Sequence, residues 1–393
     1  MPQALITRRG GDGYATVTFN NISELTNEVA PSLGASRYNL AATTVGDYAL
    51  FAGGVNDDVV DTVEAYNTSL TRVKPTSYLG VSRELLAATT VGDYALFGGG
   101  SRESTYYSIV DAYNTSLTRT TPTELSVARY NLAATTVGNY ALFAGGSSPV
   151  SSTVDAYNTS LTRSTPQILI LARHSLAATT VGNYALFGGG HDIQTGADGI
   201  VGYVDAYNTS LTRSTPTGLS VARENLSATT VGNYALFGGG INNDVVDTVD
   251  AYNTSLVRST PTALSYAKQS LSATTVGNYA LFGGGKVSTT SYNKSVDVYN
   301  SSLTRSSAKS LSIFKGNLSA TTVGNYALFG GGFFITALSS IDAYYVNNKV
   351  QVYPGTKYKL GSMTSEVTSN SMQMITTTAP ITGYIKIKNA TIN

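Results

Sequence analysis

The chain has 393 residues, a formal net charge of +1 and only 12% charged residues. This balance lacks the positive excess that a nucleic acid or an acidic membrane surface demands, so we expect neither as a partner. Cysteine is absent, which excludes disulfides, thiolate metal sites and a cysteine nucleophile.

The N-terminal segment, residues 1–21, precedes the repeated part of the chain. It carries a basic pair, Arg8-Arg9, but no apolar run of the signal-peptide kind, and no stretch approaches the ~18 apolar residues of a membrane span. We therefore expect a soluble protein without membrane insertion, whose export would need a route other than a signal peptide. Alternating residues from Tyr14 to Phe19 predict a strand that pairs with a similar alternation from Tyr384 to Lys388.

One unit repeats seven times between residues 22 and 346. Its central motif, TTVG-D/N-YALF-A/G-GG, recurs every 44 to 50 residues, a period typical of propellers and solenoids. The first glycine of the motif stands at Gly46, Gly92, Gly138, Gly182, Gly232, Gly277 and Gly324. Each unit holds two strand-like runs around a glycine turn, then a third run such as Val204 to Tyr207 and a fourth such as Leu211 to Thr215. Four strands per unit, with no helical periodicity, predict an all-β, seven-bladed β-propeller.

The unit resembles kelch repeats in three features: a strand ending in Gly-Gly, a following strand with a tyrosine, and an arginine-containing link to the next unit. The resemblance implies a kelch-type β-propeller over roughly residues 22–346. Kelch blades usually carry a tryptophan at the start of the fourth strand, whereas this chain has no tryptophan and places Leu161-Thr162-Arg163 at such a position. We therefore expect different packing at the outer edge of each blade.

The seventh repeat loses its pattern after Tyr344. Aligning Arg37 with Arg223 places Leu25 to Asn27 opposite the fourth-strand residues of another unit, so we expect the N-terminal segment to supply the missing strand and close the ring. Residues 347–393 are Thr/Ser-rich and predict a small C-terminal β appendage. That appendage is interpreted either as an attachment or oligomerisation element or as a cap over the ring.

Positions that recur in every unit are assigned to the scaffold. Two tyrosine series, represented by Tyr48 and Tyr66, are expected to pack in the core. A carboxylate series, Glu64 in the first unit and aspartates such as Asp111 in the others, is expected to pair with arginines of the Arg119 type or to cap loops. The recurrent Asn-Thr-Ser triplets fit turn geometry better than glycosylation.

The sequence does not match the catalytic and metal-binding motifs that we compared with it. Kelch propellers with copper-radical chemistry, such as galactose oxidase, use a tyrosine cross-linked to cysteine, and sialidase propellers carry Ser-x-Asp-x-Gly-x-Thr-Trp boxes; this chain has neither. The only two histidines, His174 and His191, lie outside any nucleophile-elbow context. Acidic loops such as residues 56–58 lack the ligand spacing of calcium motifs. We therefore expect no enzyme activity, no cofactor and no metal.

The units differ in two places. The loop between the second and third strands spans 8 to 14 residues, counted from Gly-Gly to the next strand, and the residues directly after the link arginine change in type from unit to unit. In a four-stranded antiparallel blade, this loop and the link to the next blade emerge on the same side. We call this side the diversified face; such an arrangement is typical of binding by loops on a constant scaffold.

Two sets of side chains form the predicted site on the diversified face. A basic residue precedes the inner strand of each blade and is expected to ring the mouth of the central channel, either gripping ligand, as the resemblance to kelch adaptors of ubiquitin ligases implies, or bracing neighbouring blades through carbonyls or carboxylates. The basic set is Arg37, Arg83, Arg129, Arg173, Arg223, Lys268 and Lys315. The second set, which supplies flat contact surfaces, is Tyr38, Tyr106, Tyr107, Tyr130, His174, Tyr203, Tyr292, Phe333 and Phe334.

These features together predict a non-catalytic recognition module that binds a surface glycan or a protein receptor. Low charge and abundant Tyr, Thr, Ser and Asn are similar to the profile of phage or bacterial cell-surface adhesion proteins, which would place the chain on a virion, outside the cell or at its surface. The alternatives are a cytoplasmic kelch adaptor and a glycan-cleaving propeller enzyme. Paired carboxylates ~5–9.5 Å apart in a sugar-sized cleft would favour the enzyme, and a hydrophobic groove would favour the adaptor.

Overall fold

The structure, a computed structural model, describes residues 5–8, 14–18, 22–192, 199–352, 357–360, 363–366, 373–377 and 385–388. Regular structure in these ranges is entirely β, which confirms the predicted class. Consequently none of the described residues forms a helix that could cross a membrane. Contacts divide the chain into two compact units, Asn27–Tyr344 and the terminal segments Met1–Thr26 with Tyr345–Asn393.

The larger unit is a seven-bladed β-propeller, as the repeats predict. The first strands, nearest the axis, are Ala41–Val45, Ala87–Val91, Ala133–Val137, Ala177–Val181, Ser227–Val231, Ser272–Val276 and Ser319–Val323. The second strands are Tyr48–Ala52, Tyr94–Gly98, Tyr140–Ala144, Tyr184–Gly188, Tyr234–Gly238, Tyr279–Gly283 and Tyr326–Gly330. The third strands are Val63–Asn67, Val110–Asn114, Val154–Asn158, Val204–Asn208, Val249–Asn253, Val296–Asn300 and Ile341–Val352. The fourth strands are Arg72–Val73, Arg119–Thr120, Arg163–Ser164, Arg213–Ser214, Arg258–Ser259, Arg305–Ala308 and Ile22–Ala30.

The seventh blade takes its fourth strand from the other end of the repeats. Its third strand, Ile341–Val352, lies between the second strand, Tyr326–Gly330, and the N-terminal strand Ile22–Ala30. The connection continues past the strand, because the Leu33 N–H donates to the Ser339 carbonyl at 2.8 Å. The strand Ile22–Ala30 is therefore the outer strand of the seventh blade's sheet.

The terminal segments form short strands of their own. These are Leu5–Arg8, Tyr14–Thr18, Lys357–Leu360, Met363–Glu366, Gln373–Thr377 and Ile385–Lys388. Tyr14–Thr18 pairs antiparallel with Ile385–Lys388, Tyr14 facing Lys388, which is the pairing that their alternation predicts. Phe19 and Tyr384, the ends of the two predicted runs, lie outside the described residues.

The hydrophobic cores lie between adjacent blades. Leu50 and Ala65 of the first blade share one buried cluster with Phe97 and Tyr113 of the second. Phe97 and Tyr113 meet edge to face, with ring centroids 6.0 Å apart, and the same pair recurs in all seven blades. The Tyr157 hydroxyl donates to the Thr123 carbonyl of the incoming link at 2.8 Å, so Tyr157 both fills the core and fixes the link.

Threonines of the first strands join neighbouring blades around the axis. The Thr136 hydroxyl donates to the Thr90 carbonyl of the preceding blade. Thr136 has one hydroxyl proton, so Thr89, whose Oγ1 lies 2.8 Å from that of Thr136, must be the donor of their bond. The same two bonds recur at every blade boundary and close the circle between Thr321 of the seventh blade and Thr44 of the first. We call this set the threonine ring.

Backbone atoms form a second circle at the channel mouth on the diversified face. The second residue after each basic residue has φ between 51° and 55°, and its N–H donates to the carbonyl of its equivalent in the preceding blade at 2.9 to 3.0 Å. The members of this backbone ring are Asn39, Leu85, Asn131, Ser175, Asn225, Ser270 and Asn317. The backbone ring surrounds a cavity of about 500 Å³, and the threonine ring surrounds one of about 320 Å³.

The seven basic residues are inside the blades. Arg83 Nη2 donates hydrogen bonds to Asp111 Oδ2 at 2.7 Å and to the Phe97 carbonyl at 3.1 Å. The other carboxylate oxygen of Asp111 accepts from Arg119, and the Gly80 N–H of the incoming link also donates to Asp111. One carboxylate thus ties together the link, the third strand and the fourth strand of its blade, which confirms its expected pairing with the Arg119 series.

This placement corrects the expectation that the basic set lines the channel mouth and grips ligand. Each side chain has 0% of its surface exposed and faces a buried carboxylate at 2.7 to 3.0 Å; the set is Arg37, Arg83, Arg129, Arg173, Arg223, Lys268 and Lys315. Burial lowers the pKa of Lys268 and Lys315, and Asp297 and Asp342 oppose the shift. These residues brace the blades, because burial leaves them no surface for ligand.

The threonine ring should contribute measurably to stability. Thr136→Val keeps the side-chain shape but removes the donor to Thr90 and the acceptor for Thr89, so the free energy of unfolding should fall by ~1–3 kcal/mol. Urea titration of the whole chain measures this loss. Thr118→Val, at an exposed turn position, is the matched control and should change the value by less than ~0.5 kcal/mol. Equal losses in the two variants would contradict the role of the ring.

The buried carboxylates should matter far more than exposed ones. Asp155→Ala leaves Arg129 buried without a counter-charge, which should cost ~3–5 kcal/mol. Asp58→Ala removes the partner of Arg102 in an exposed pair and should cost at most ~1 kcal/mol. The free energies of unfolding from urea titration distinguish the two; a loss below ~1 kcal/mol for Asp155→Ala argues against the bracing role.

Candidate functional site

The two variable places of the repeat adjoin each other on the diversified face. In every blade the residue after the basic residue forms an isolated antiparallel bridge with the residue after Gly-Gly. These bridge pairs are Tyr38–Val55, Glu84–Ser101, Tyr130–Ser147, His174–His191, Glu224–Ile241, Gln269–Lys286 and Gly316–Phe333. Backbone bonds fix each pair, while the side chains differ, so the face presents seven different pairs on one constant frame.

The Gly-Gly motif makes this close approach feasible. Gly54 has φ +102, a conformation that L side chains rarely adopt, and a Cβ there would lie 2.7 Å from the Tyr38 carbonyl oxygen. A side chain at Gly54 would therefore push the link away and break the bridge pair of the blade.

Five aromatic rings gather where the sixth and seventh blades meet the first. Tyr38 lies 5.0 Å from Phe333, and Tyr292 lies 6.1 Å from Phe333 and 5.7 Å from Phe334, measured between ring centroids. Phe314 joins them at 5.8 Å from Phe334. We call Tyr38, Tyr292, Phe314, Phe333 and Phe334 the aromatic patch.

Two lysines lie over rings of the aromatic patch. Lys286 Nζ is 5.4 Å from the centroid of the Tyr292 ring, and Lys294 Nζ is 4.9 Å from that of Phe314. Partial burial raises the pKa of Tyr292, and Tyr38 raises it further, so the Tyr292 hydroxyl stays protonated near neutral pH. The patch therefore combines flat apolar surface with cationic and hydroxyl donors.

An exposed isoleucine stands beside the patch. Ile335 is at the tip of the short hairpin formed by Phe333–Phe334 and Thr336–Ala337, with 78% of its surface exposed and φ of 62°. The equivalent tip in the fifth blade is Asn243, also at positive φ, and asparagine tolerates this conformation far better than a β-branched residue. An apolar side chain is thus held outward at a cost in backbone energy.

A second, smaller aromatic group lies where the second and third blades adjoin. Tyr106 stacks on Tyr130 with centroids 5.2 Å apart and planes 13° apart. Tyr107 and Tyr203, also predicted for the site, make no ring contact with this pair or with the patch among the described side chains, although Tyr203 is exposed. The predicted aromatic set is therefore divided over the face rather than gathered in one place.

The bridge pair of the fourth blade consists of the chain's two histidines. Their ring centroids are 5.2 Å apart, with planes at 79°, and His174 Nδ1 lies 2.9 Å from Ser175 Oγ. Burial lowers the pKa of His174, and His191 lowers it further. Glu224 of the next blade lies beside them; burial raises the pKa of Glu224, and His191 opposes that shift.

Phe314 is a site residue that the sequence analysis missed. The residue before the basic residue is small in the other six units: Ser36, Ser82, Ala128, Ala172, Ala222 and Ala267. A phenylalanine at this one position was the available signal, but the position lay outside the two places scored as variable. Glu224 stands in one of the two variable places of the repeat, but its proximity to the histidines depends on how side chains of neighbouring blades are placed.

Comparisons with known proteins support the fold and leave the function open. No protein-family description matches the sequence, and no curated protein matches it. Among solved structures the chain is similar to YjhT, with a TM-score of 0.54 and 10% identity over 71% of this chain and 99% of that one. Because 715 chains of known structure are similar, the propeller fold by itself does not indicate a particular activity. At this identity the likeness concerns the fold, and membership of the kelch family stays a prediction.

Proposed function

We propose that the chain is a non-catalytic recognition module that binds a surface glycan through the aromatic patch. The observation that carries the proposal is the gathering of five rings from two blades and two links, with Lys286 and Lys294 over two of them. A propeller fold is compatible with a binding module, and the diversified face is where its blades differ.

The chemistry of the patch fits a sugar better than a purely apolar ligand. Aromatic faces pack against the C–H faces of sugar rings, and tyrosine adds a hydroxyl at low entropy cost because it has few rotamers. Lys286 and Lys294 add charged donors, which favour a glycan that carries a carboxylate, sulfate or phosphate. A pocket for a single small molecule is not required, since rings spread over a surface suit an extended chain.

Ile335 supports a ligand that reaches beyond the rings. An exposed β-branched residue at positive φ is unfavourable in the free protein twice, through backbone strain and through contact of apolar surface with water. Contact with a partner would remove the second cost by burying the side chain, whereas the backbone strain remains. The proposed ligand therefore covers the hairpin tip as well as the aromatic patch.

The proposed context is a virion or a bacterial cell surface, where a constant scaffold with one varied face serves adhesion. This rests on analogy with low-charge proteins rich in Tyr, Thr, Ser and Asn, and on the division of the propeller into constant and varied parts. A protein receptor at the same patch is the principal competitor, and the experiment below separates the two.

The double variant Tyr292→Ala/Phe334→Ala should abolish binding to a glycan array, with at least a ~10-fold loss of affinity if each ring contributes as a hot-spot residue. Because both rings lie in loops outside the blade cores, the melting temperature should stay near that of the wild type. Fluorescently labelled full-length chain on an array that includes anionic glycans measures the first quantity, and differential scanning calorimetry measures the second.

Val257→Ala is the matched control, because Val257 is an exposed apolar residue in the third-to-fourth strand turn on the opposite side. Binding that survives the double variant but disappears with Val257→Ala would place the site on the constant side and refute the proposal. Binding to cells that protease treatment abolishes, and that glycan removal leaves intact, would identify a protein receptor instead.

A further inference from the structure

We propose that His174, His191 and Glu224 form a binding site for a divalent transition metal, with Zn²⁺ as the best match. One ligating atom from each residue lies within 4.8 Å of the others. The site is on the diversified face, between the fourth and fifth blades, and is separate from the residues of the aromatic patch.

The pairing of the two histidines is not required by the scaffold. The chain contains only two histidines in 393 residues, and they are direct partners in one bridge pair, each donating its N–H to the other's carbonyl at 2.9 and 3.0 Å. The other six bridge pairs contain no histidine and keep the same backbone bonds. The scaffold therefore does not require histidine at either position.

Glu224 brings a carboxylate from the next blade to the same place. It occupies the position in the fifth blade that His174 occupies in the fourth, directly after the buried basic residue. The backbone ring joins the two positions, since the Asn225 N–H donates to the Ser175 carbonyl at 3.0 Å. All three ligating residues therefore lie on or next to backbone positions that are held by hydrogen bonds.

A comparison within the chain shows that the Glu224 carboxylate has a different neighbour from its equivalent. Glu84, at the same position in the second blade, accepts a hydrogen bond from Asn39 Nδ2 of the preceding link at 2.8 Å. In the fifth blade the residue corresponding to Asn39 is Ser175, whose hydroxyl is bonded to His174 Nδ1. Glu224 consequently lies against imidazole nitrogens instead of an amide.

The contact behind the His174 imidazole resembles those that orient metal ligands. In the tautomer whose Nδ1–H donates to Ser175 Oγ, the lone pair of Nε2 is available to a metal, and a hydrogen bond from the other ring nitrogen is the usual second contact of a ligating histidine. The His191 ring is covered by Gly199, where a Cβ would collide with Nε2. A residue without a side chain is thus needed at Gly199 for the His191 ring to fit.

Two imidazoles and one carboxylate select a particular class of ion. Mg²⁺ and Ca²⁺ prefer oxygen ligands, whereas His₂Glu is a ligand set of Zn²⁺ sites that keep one position open. Tetrahedral bonds of ~2.0–2.2 Å separate ligand atoms by roughly 3.3–3.5 Å, so small rotations of half-buried side chains bring these atoms into range. Such a site would keep a fourth position open for water or an oxygen of a bound partner.

Isothermal titration of tag-free, chelator-treated full-length chain with ZnCl₂ tests the site. We expect one equivalent to bind, and CoCl₂ in its place to give the intense visible band of a four-coordinate ion. His191→Ala should weaken Zn²⁺ binding by more than ~100-fold and Glu224→Gln by ~10–100-fold, since even residues that only orient ligands change affinity by the latter amount. Glu84→Gln, the same change at the equivalent position of the second blade, is the matched control and should leave binding unchanged.

A measurement on the unchanged chain covers the case in which a variant fails to fold. Because the chain has two histidines, the imidazole region of its ¹⁵N-correlated NMR spectrum contains two ring systems, and one equivalent of Zn²⁺ should shift both. Absence of Zn²⁺ binding, a shift of neither ring, equal binding by His191→Ala, or a preference for Mg²⁺ or Ca²⁺ over Zn²⁺ would each overturn the proposal.

Discussion

The joining of neighbouring blades without a shared sheet is the constraint on which the rest of the propeller depends. Each blade is a separate hydrogen-bonded sheet, so the ring is held by cores between blades and by two circles of hydrogen bonds around the axis. The threonine ring uses side chains, and the backbone ring uses only main-chain atoms. Because each circle returns to its start, every blade must present the same geometry to both neighbours, and one irregular blade would interrupt both circles.

The different chemistry of the two circles accounts for which parts of the sequence vary. A hydrogen bond made by a threonine hydroxyl requires that residue, and the Thr-Thr pair is the same in all seven units. A hydrogen bond made by backbone N–H and C=O leaves the side chain free, and the backbone ring contains Leu85 and Ser175 as well as asparagines. The bridge pairs are likewise held by backbone atoms. Their side chains can therefore differ, and the two histidines and the aromatic patch occur on the same backbone frame as the other pairs.

The sequence predicts the fold well because its information is periodic: seven registers of one motif fix the strands, the blade number and the closing strand. It predicts the site less well, because the repeated motif does not show which way a side chain points or which side chains of neighbouring blades come close together. The position of Arg129 just before an inner strand predicts a place at the channel mouth, yet its side chain points inward to Asp155. The carboxylate series was expected to meet one cation, whereas its two oxygens serve two. The roles proposed for Phe314, His191 and Glu224 depend on contacts that form only when the ring brings neighbouring blades together.

The origin of the seventh blade's outer strand has a consequence for how the chain reaches its folded state. Ile22–Ala30 precedes all the other blade strands in the sequence, while its neighbour Ile341–Val352 follows all the other blades. Contacts between segments so distant in sequence form slowly, since the intervening chain loses conformational freedom when they meet. Six blades can assemble from adjacent sequence, so we expect pairing of Ile22–Ala30 with Ile341–Val352 to be a late step that closes the ring. Until that event the early strand exposes an unpaired edge, a period in which pairing with another copy competes with closure.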